Sequence, residues 1–283
     1  MRHEWDGGWW EMATSTPHVA LADVVVGEYC GWTEQTHAPL TRLEIATPIV
    51  PLIINFGDAY QFCDGHHPAA DPLTRTSFVA GVYDTWVSVQ ATTHACALQV
   101  NFSPLGAWQV FQRPMSDLSC QALGVDELFG REGTALVEQL GNCAGWSERF
   151  ARLDQFVRQR VEQSRLVAPP QVRHAWHLLN ASAGQCRIGH LSEETGWSAK
   201  RLINEFRRCI GVPPKTVARL VRFQHLIAQM EATDGSTWAT RALNAGYFDQ
   251  SHLIHDFTAF AGCTPRAYVD ARLPANGVVL LSA

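Results

Sequence analysis

The chain has 283 residues, 46% of them hydrophobic and 17% charged, which excludes a disordered polypeptide and leaves enough length for two cores. Its net charge of −5 is uneven: residues 1–168 carry ten Lys and Arg against nineteen Asp and Glu, and residues 169–283 carry twelve against eight. There is no run of about 18 uncharged apolar residues, and the opening MRHEWDGGWWEM has no apolar signal core, so the sequence predicts a cytoplasmic chain without a membrane partner.

From Val19 to about Phe111 the pattern is short and β-like. ALADVVVGEYCGW, PIVPLIINFG, TSFVAGVYDTWVSVQA and ACALQVNF are separated by Gly, Pro, Asp and His clusters, which predicts a sandwich or barrel of short strands. The aromatics of this half, among them Tyr29, Trp32, Tyr60, Phe62, Phe78 and Trp108, are read mostly as core, with a minority available to line an apolar effector pocket. Within YQFCDGHHPAADP, Cys63, His66 and His67 have the residue types of a zinc site, but the Gly, Pro and Asp around them favour a solvated turn, so no metal is assigned. His94 is read as either a core residue or a further ligand. The eight cysteines include no C-x-x-C pair and are read as small apolar residues. No nucleophile elbow and no phosphate-binding glycine loop is present, so the chain is not read as an enzyme and no cofactor is implied.

From Pro114 the pattern turns helical. VDELFGREGTALVEQL reads as one helix, and WSERFARLDQFVRQRVEQS places Phe150, Leu153, Phe156, Val157 and Val161 on one face of another. These helices either form a homodimer interface or cap the β-half. Pro169 and Pro170, within Leu166 to Gln171, end the preceding helix and divide the chain into residues 1–168 and 169–283. VRHAWHLLNAS then opens the second half.

Between Leu191 and Tyr268 one helix-turn-helix pattern is written twice around a long helix near Pro214 to Met230. Ser192 and Ala242 each precede a glycine, Gly196 and Gly246, by four residues. After each turn an i, i+4 apolar pair follows, Leu202 with Phe206 and Leu253 with Phe257, so each second helix buries one face and frees the other. Gly211 and Gly262 end those helices, and Pro214 and Pro265 start the next. A solenoid needs at least three such units, and two do not make one. The free face of the first second-helix carries Lys200, Arg201, Asn204, Arg207 and Arg208; the other offers Gln250, Ser251, His252, Ile254 and His255. Arg and Lys suit phosphates or guanine edges and Asn suits adenine, so these faces are the candidate DNA contacts.

The strings GYFDQSHLIHDF and AGCTPRAY resemble the DNA-binding domain of the AraC/XylS family of transcription regulators, over about the last 100 residues. The resemblance implies a seven-helix domain that places two recognition helices in successive major grooves of double-stranded DNA, with RNA polymerase as a further partner. Many members carry Arg or Lys where this chain has His255, and the following Asp256 is read as opposing phosphate. LIINFGD, SFVAG and LQVNFSPLGAW resemble the sensor halves of some actinobacterial members, which implies a cupin-like barrel or sandwich taking a small-molecule effector, with no effector residues carried over. The fold expected is thus α+β with two domains. Its alternatives in function are a metal-dependent cupin enzyme fused to a DNA-binding module, or a ligand-free dimerisation scaffold.

Overall fold

A computed structural model describes residues 2–68, 70–230, 237–271 and 279–280. The N-terminal half alternates β1 (Arg2–Trp5), β2 (Gly8–Ser15), β3 (Tyr29–Thr36), β4 (Leu40–Glu44), β5 (Val50–Asn55), β6 (Tyr60–Asp64), β7 (Leu73–Arg75), β8 (Phe78–Ala80), β9 (Val87–Ala91) and β10 (His94–Phe102). Helix α1 (Pro104–Phe111), strand β11 (Ala122–Gly124), then α2 (Val125–Phe129), α3 (Arg131–Gly141) and α4 (Trp146–Gln163) follow. The strands form two sheets, ordered β1-β2-β3-β10-β5-β8-β11 and, with a late strand β12 (Val279–Leu280), β12-β4-β9-β6-β7. The result is a sandwich with open edges; of the two expected forms, the closed barrel is not adopted.

Alternation along β5 and β10 explains why the larger sheet is the main wall of the core. Leu52, Ile54, Leu98, Val100 and Phe102 have no exposed surface, as a strand covered on its inner face requires. On this same face, where Gly31 of β3 stands opposite Leu98, α4 lies across the sheet, with Phe150, Leu153 and Val157 buried and the Tyr29 hydroxyl donating to Asp154 at 3.1 Å. A Cβ at Gly31 would stand 2.4 Å from the Trp146 ring, so only glycine lets the helix approach this closely. The apolar face of α4 therefore covers a sheet.

Several elements depart from the sequence reading. An N-terminal hairpin, β1 and β2, precedes the first expected strand. The segment read as strand up to Phe111 ends in α1, because the Ser103 side chain caps it by accepting from the Gly106 N–H at 3.0 Å and Pro104 fits its first turn. VDELFGREGTALVEQL is two helices because Gly130, at φ 57°, breaks it. Beyond Tyr268 the chain stays helical to Ala271 and β12 pairs with β4; the other residues of this tail lie outside the described residues.

The C-terminal half is helical, with α5 (Pro170–Ala181), α6 (Ile188–Thr195), α7 (Ala199–Ile210), α8 (Pro214–Met230), α9 (Trp238–Asn244), α10 (Gln250–Ala261) and α11 (Pro265–Ala271). The described residues of this half thus form seven helices. Helix α8 is the expected long connector, burying Val217, Leu220, Phe223 and Leu226. Phe223 packs edge-on to Phe257 with ring centres 5.3 Å apart. One continuous apolar cluster runs through both halves, and Tyr60, Phe62, Phe78, Ala91 and Ala122 form a second, smaller one between the two sheets.

Candidate nucleic-acid interface

Each unit is built the same way. Helix α6 ends in a left-handed Gly196 (φ 67°), and Gly246 (φ 78°) follows α9. The second helix of each unit is capped by a side chain: Ser198 accepts from the Arg201 N–H at 3.3 Å, and Asp249 accepts from the His252 N–H at 2.7 Å. The i, i+4 pairs Leu202/Phe206 and Leu253/Phe257 are fully buried, so the opposite faces of α7 and α10 are turned to solvent.

On α7, Lys200, Arg201, Asn204, Arg207 and Arg208 are all exposed. Their settings differ. Arg201 lies over the Trp197 ring at 4.1 Å, whereas Arg208 donates to Glu205 at 2.6 and 3.0 Å and lies over Trp108 of the N-terminal half at 5.0 Å. Lys200, Asn204 and Arg207 are exposed on the face opposite Leu202 and Phe206, while Arg208 is occupied at the junction between the halves.

On α10, Gln250, Ser251, His252, Ile254 and His255 are exposed. The His252 ring meets Tyr247 edge-on at 5.2 Å, and His255 stands largely in solvent. Asp256 does not face a phosphate as the sequence reading had it. It is 2% exposed and accepts from Arg219 of α8 at 2.8, 3.3 and 3.4 Å, so its charge is spent on holding α10 to α8. Burial, with the Asp256 carboxylate adding to it, pushes the nearby Tyr247 phenol up. Sequence reasoning missed Phe248, which is 86% exposed in the turn just before α10. Its neighbour Tyr247 is buried, and no periodicity in a turn distinguishes the two.

The N-terminal half grips the far ends of both helices. Helix α1 and the turn at Met115–Asp117 pack on α7, and a Cβ at Gly211 would lie 3.0 Å from the Met115 carbonyl oxygen. At the end of α10, where helix carbonyls lack partners of their own, the Thr85 hydroxyl donates to Ala259 O at 3.2 Å and the Ala46 N–H donates to Phe260 O at 2.8 Å. Gln224 of α8 donates in turn to Ala46 O at 2.8 Å, and Trp86 lies against Gly262.

Of Cys63, His66 and His67, which the sequence reading gave to a solvated turn, Cys63 lies on β6 with its thiol toward Ala70 O at 3.9 Å. His66 and His67 form the expected turn, their N–H groups donating to the Asp64 carboxylate at 2.8 and 3.0 Å. His66 meets two residues far away in sequence: Nε2 is 2.7 Å from Asp84 Oδ1, and Cys120 Sγ is 3.4 Å from the same oxygen. His94 opens β10 exposed to solvent and is not a core residue. All eight cysteines are free thiols; only Cys143 and Cys209 are buried. Inside the sandwich, buried Glu34 of β3 pairs with Arg42 of β4 across the two sheets. A groove of about 430 Å³ between α3 and α4 is lined by Glu132, Gln139, Arg152, Phe156 and Arg160. No described helix is long and apolar enough to cross a membrane.

Residues 191–271, which span α6 to α11, match the Helix-turn-helix domain family. The chain carries an AraC-type helix-turn-helix domain. Ahead of this domain, residues 13–123 match a domain of unknown function (DUF6597). No curated protein matches the chain. Among solved structures the fold is similar to that of an apo ToxT variant from Vibrio cholerae strain SCE256, at 10% identity over 86% of this chain and 97% of that one, with a TM-score of 0.49. It is also similar to ToxT of the same strain with unsaturated fatty acid bound (11%, 83% and 96%, TM-score 0.46) and to the AraC-like transcriptional activator CuxR (14%, 85% and 86%, TM-score 0.33). In the helix-turn-helix domain of this chain, α7 and α10 are the second helices of the two units.

Proposed function

We propose that the protein is a sequence-specific, DNA-binding transcription regulator in which α7 and α10 read successive major grooves of duplex DNA. The observation that carries this reading is the duplicated, capped second helix with one face buried and the other free, cationic on α7. A capped helix N-terminus adds its own partial positive charge toward phosphate. Base-edge contacts fall to Lys200 and Asn204, and backbone contacts to Arg201 and Arg207, with Gln250, Ser251, His252 and His255 serving the second groove. RNA polymerase at the bound promoter is the further partner. Footprinting of the full chain on selected operator DNA tests this. Two protected major grooves on one face, within about 20 base pairs per protomer, are the expected result; protection of one groove would overturn the two-reader assignment.

Residues 1–168 are, on this reading, the regulatory domain, and residues 169–283 the reading domain. The Glu34–Arg42 pair supports an effector site inside the sandwich, since a buried ion pair costs desolvation energy that an apolar pair would not. Burial pushes the adjacent Tyr60 phenol up as well, a second polar group in the same interior. A small molecule with one polar end and an apolar body fits such surroundings. Its signal would pass through the contacts on the ends of α7 and α10. The groove between α3 and α4 is the surface offered for a homodimer.

A further inference from the structure

Three segments of the N-terminal half converge where it meets the reading helices. They are the turn at Asp64–His67, the loop leading into β9, and the turn leading into β11. Backbone hydrogen bonds fasten them together: Gly65 N to Trp86 O at 2.9 Å, Gly81 N to Gln121 O at 3.0 Å, and Cys120 N to Val82 O at 3.2 Å. Glycines allow the contact. A Cβ at Gly65 would stand 2.3 Å from Thr85 Oγ1, and one at Gly81 would stand 1.8 Å from Leu118 O. Each segment contributes one metal-ligating side chain, and the ligand atoms of His66, Asp84 and Cys120 all lie within 4.8 Å of one another.

We propose that His66 Nε2, an Asp84 carboxylate oxygen and Cys120 Sγ bind a single divalent cation of the zinc class. The donor set selects the ion: one imidazole, one thiolate and one carboxylate suit Zn²⁺, whereas Ca²⁺ and Mg²⁺ require oxygen ligands throughout. The spacing suits it too. In a tetrahedral site with bonds of about 2.0–2.3 Å, ligand atoms sit roughly 3.3–3.7 Å apart; here Sγ and Oδ1 are already 3.4 Å apart, and Nε2 needs to swing out from its 2.7 Å hydrogen bond. As the metal–sulfur bond forms, the thiol proton is released to solvent, and the fourth position is left for water. Burial pushes the Cys120 thiol up to about 11, so the cation must displace this proton as it binds. The three ligands sit on the segments that hold the reading domain, because Thr85 follows Asp84 directly and the turn at Met115–Asp117 precedes Cys120.

The test is titration of reduced, metal-stripped full-length protein with Co²⁺, followed by Zn²⁺. One equivalent of Co²⁺ should produce a thiolate-to-metal charge-transfer band and intense tetrahedral visible bands, both abolished by Zn²⁺. Cys120→Ser should remove the charge-transfer band, and Asp84→Asn should weaken binding by more than about tenfold, since even an outer-shell partner is worth ~10–100-fold. Cys63→Ser and His67→Ala should leave the bands unchanged. Should Cys120→Ser not fold, His66→Gln supplies the same reading through lost affinity with the charge-transfer band retained at saturation. No band at one equivalent, or a band that survives Cys120→Ser but is lost in Cys63→Ser, would overturn the proposal.

Discussion

Arg219 and Asp256 hold α10 to the connecting helix α8, and removing the guanidinium alone should show how much that costs. In Arg219→Met the apolar stem still covers Phe260, over whose ring the guanidinium lies at 4.7 Å. The carboxylate, 3% exposed, loses all three of its hydrogen bonds from Arg219. Breaking a buried pair from one side costs about 3–5 kcal/mol. Because Arg219 is itself 32% exposed, water reaches its position, and the low end, about 3 kcal/mol, is expected. With a urea slope of about 3 kcal/mol per molar, the midpoint should fall by about 1 M. Asp256→Leu in the Arg219→Met background should recover part of the loss, because no charge is then left buried. Operator footprints should lose the α10 groove before the α7 groove. Arg219→Met unfolding within about 0.5 kcal/mol of the wild type would refute the reasoning, since that is the range of an ordinary surface substitution.

Asn204→Ala and Lys200→Ala should relax base preference in one half of the operator at a cost of about 1–3 kcal/mol, checked by binding to single-base operator variants. Arg207→Ala should weaken all sequences alike and lower the salt slope by about 1, whereas Arg208→Ala, already engaged with Glu205 and Trp108, should leave the slope unchanged. Burial pushes the Cys120 and Cys209 thiols up from 9.0 to about 11, so each favours the fold while neutral. Their contribution is complete below pH about 9 and is lost as pH rises toward about 11; denaturation across that window should show a fall that Cys209→Ala reduces. Gly262→Ala should destabilise by about 1–3 kcal/mol, because φ is 70° and the new Cβ would meet Trp86 at 2.8 Å; a Trp86→Ala background should relieve the clash and leave the backbone strain, as read by thermal melting.

The C-terminal half was largely legible in the sequence because its signals are local. Gly196, Gly211 and Gly262 stand where a helix leaves in a positive-φ conformation, and Leu202/Phe206 and Leu253/Phe257 mark the buried faces by spacing alone. The β-half gave up its class but not its strand list. The Ser103–Pro104 cap of α1 was there to be read, yet the apolar run through Phe111 hid it. What local pattern does not encode is pairing over distance. Asp256 looked like a surface carboxylate until Arg219, 37 residues away, accounted for it. Asp84 and Cys120 share no motif with His66, and only the packing of three loops brings them together. Arg208 likewise reads as one more cation of its face until Trp108 is seen beneath it.

The last turn of α10 takes two of its carbonyl partners, the Thr85 hydroxyl and the Ala46 N–H, from the sandwich. The boundary at Pro169 and Pro170 is therefore a boundary along the chain more than one in energy. Cutting there would return Ala259 O and Phe260 O to water and uncover the Trp86 face of Gly262, so the isolated reading half should exchange its α10 amides faster than the intact protein does. Grafting this half onto a foreign sensor has the same requirement: the recipient must offer a hydroxyl or N–H donor at each of those two points, or the second reader will sit on a looser helix than the first.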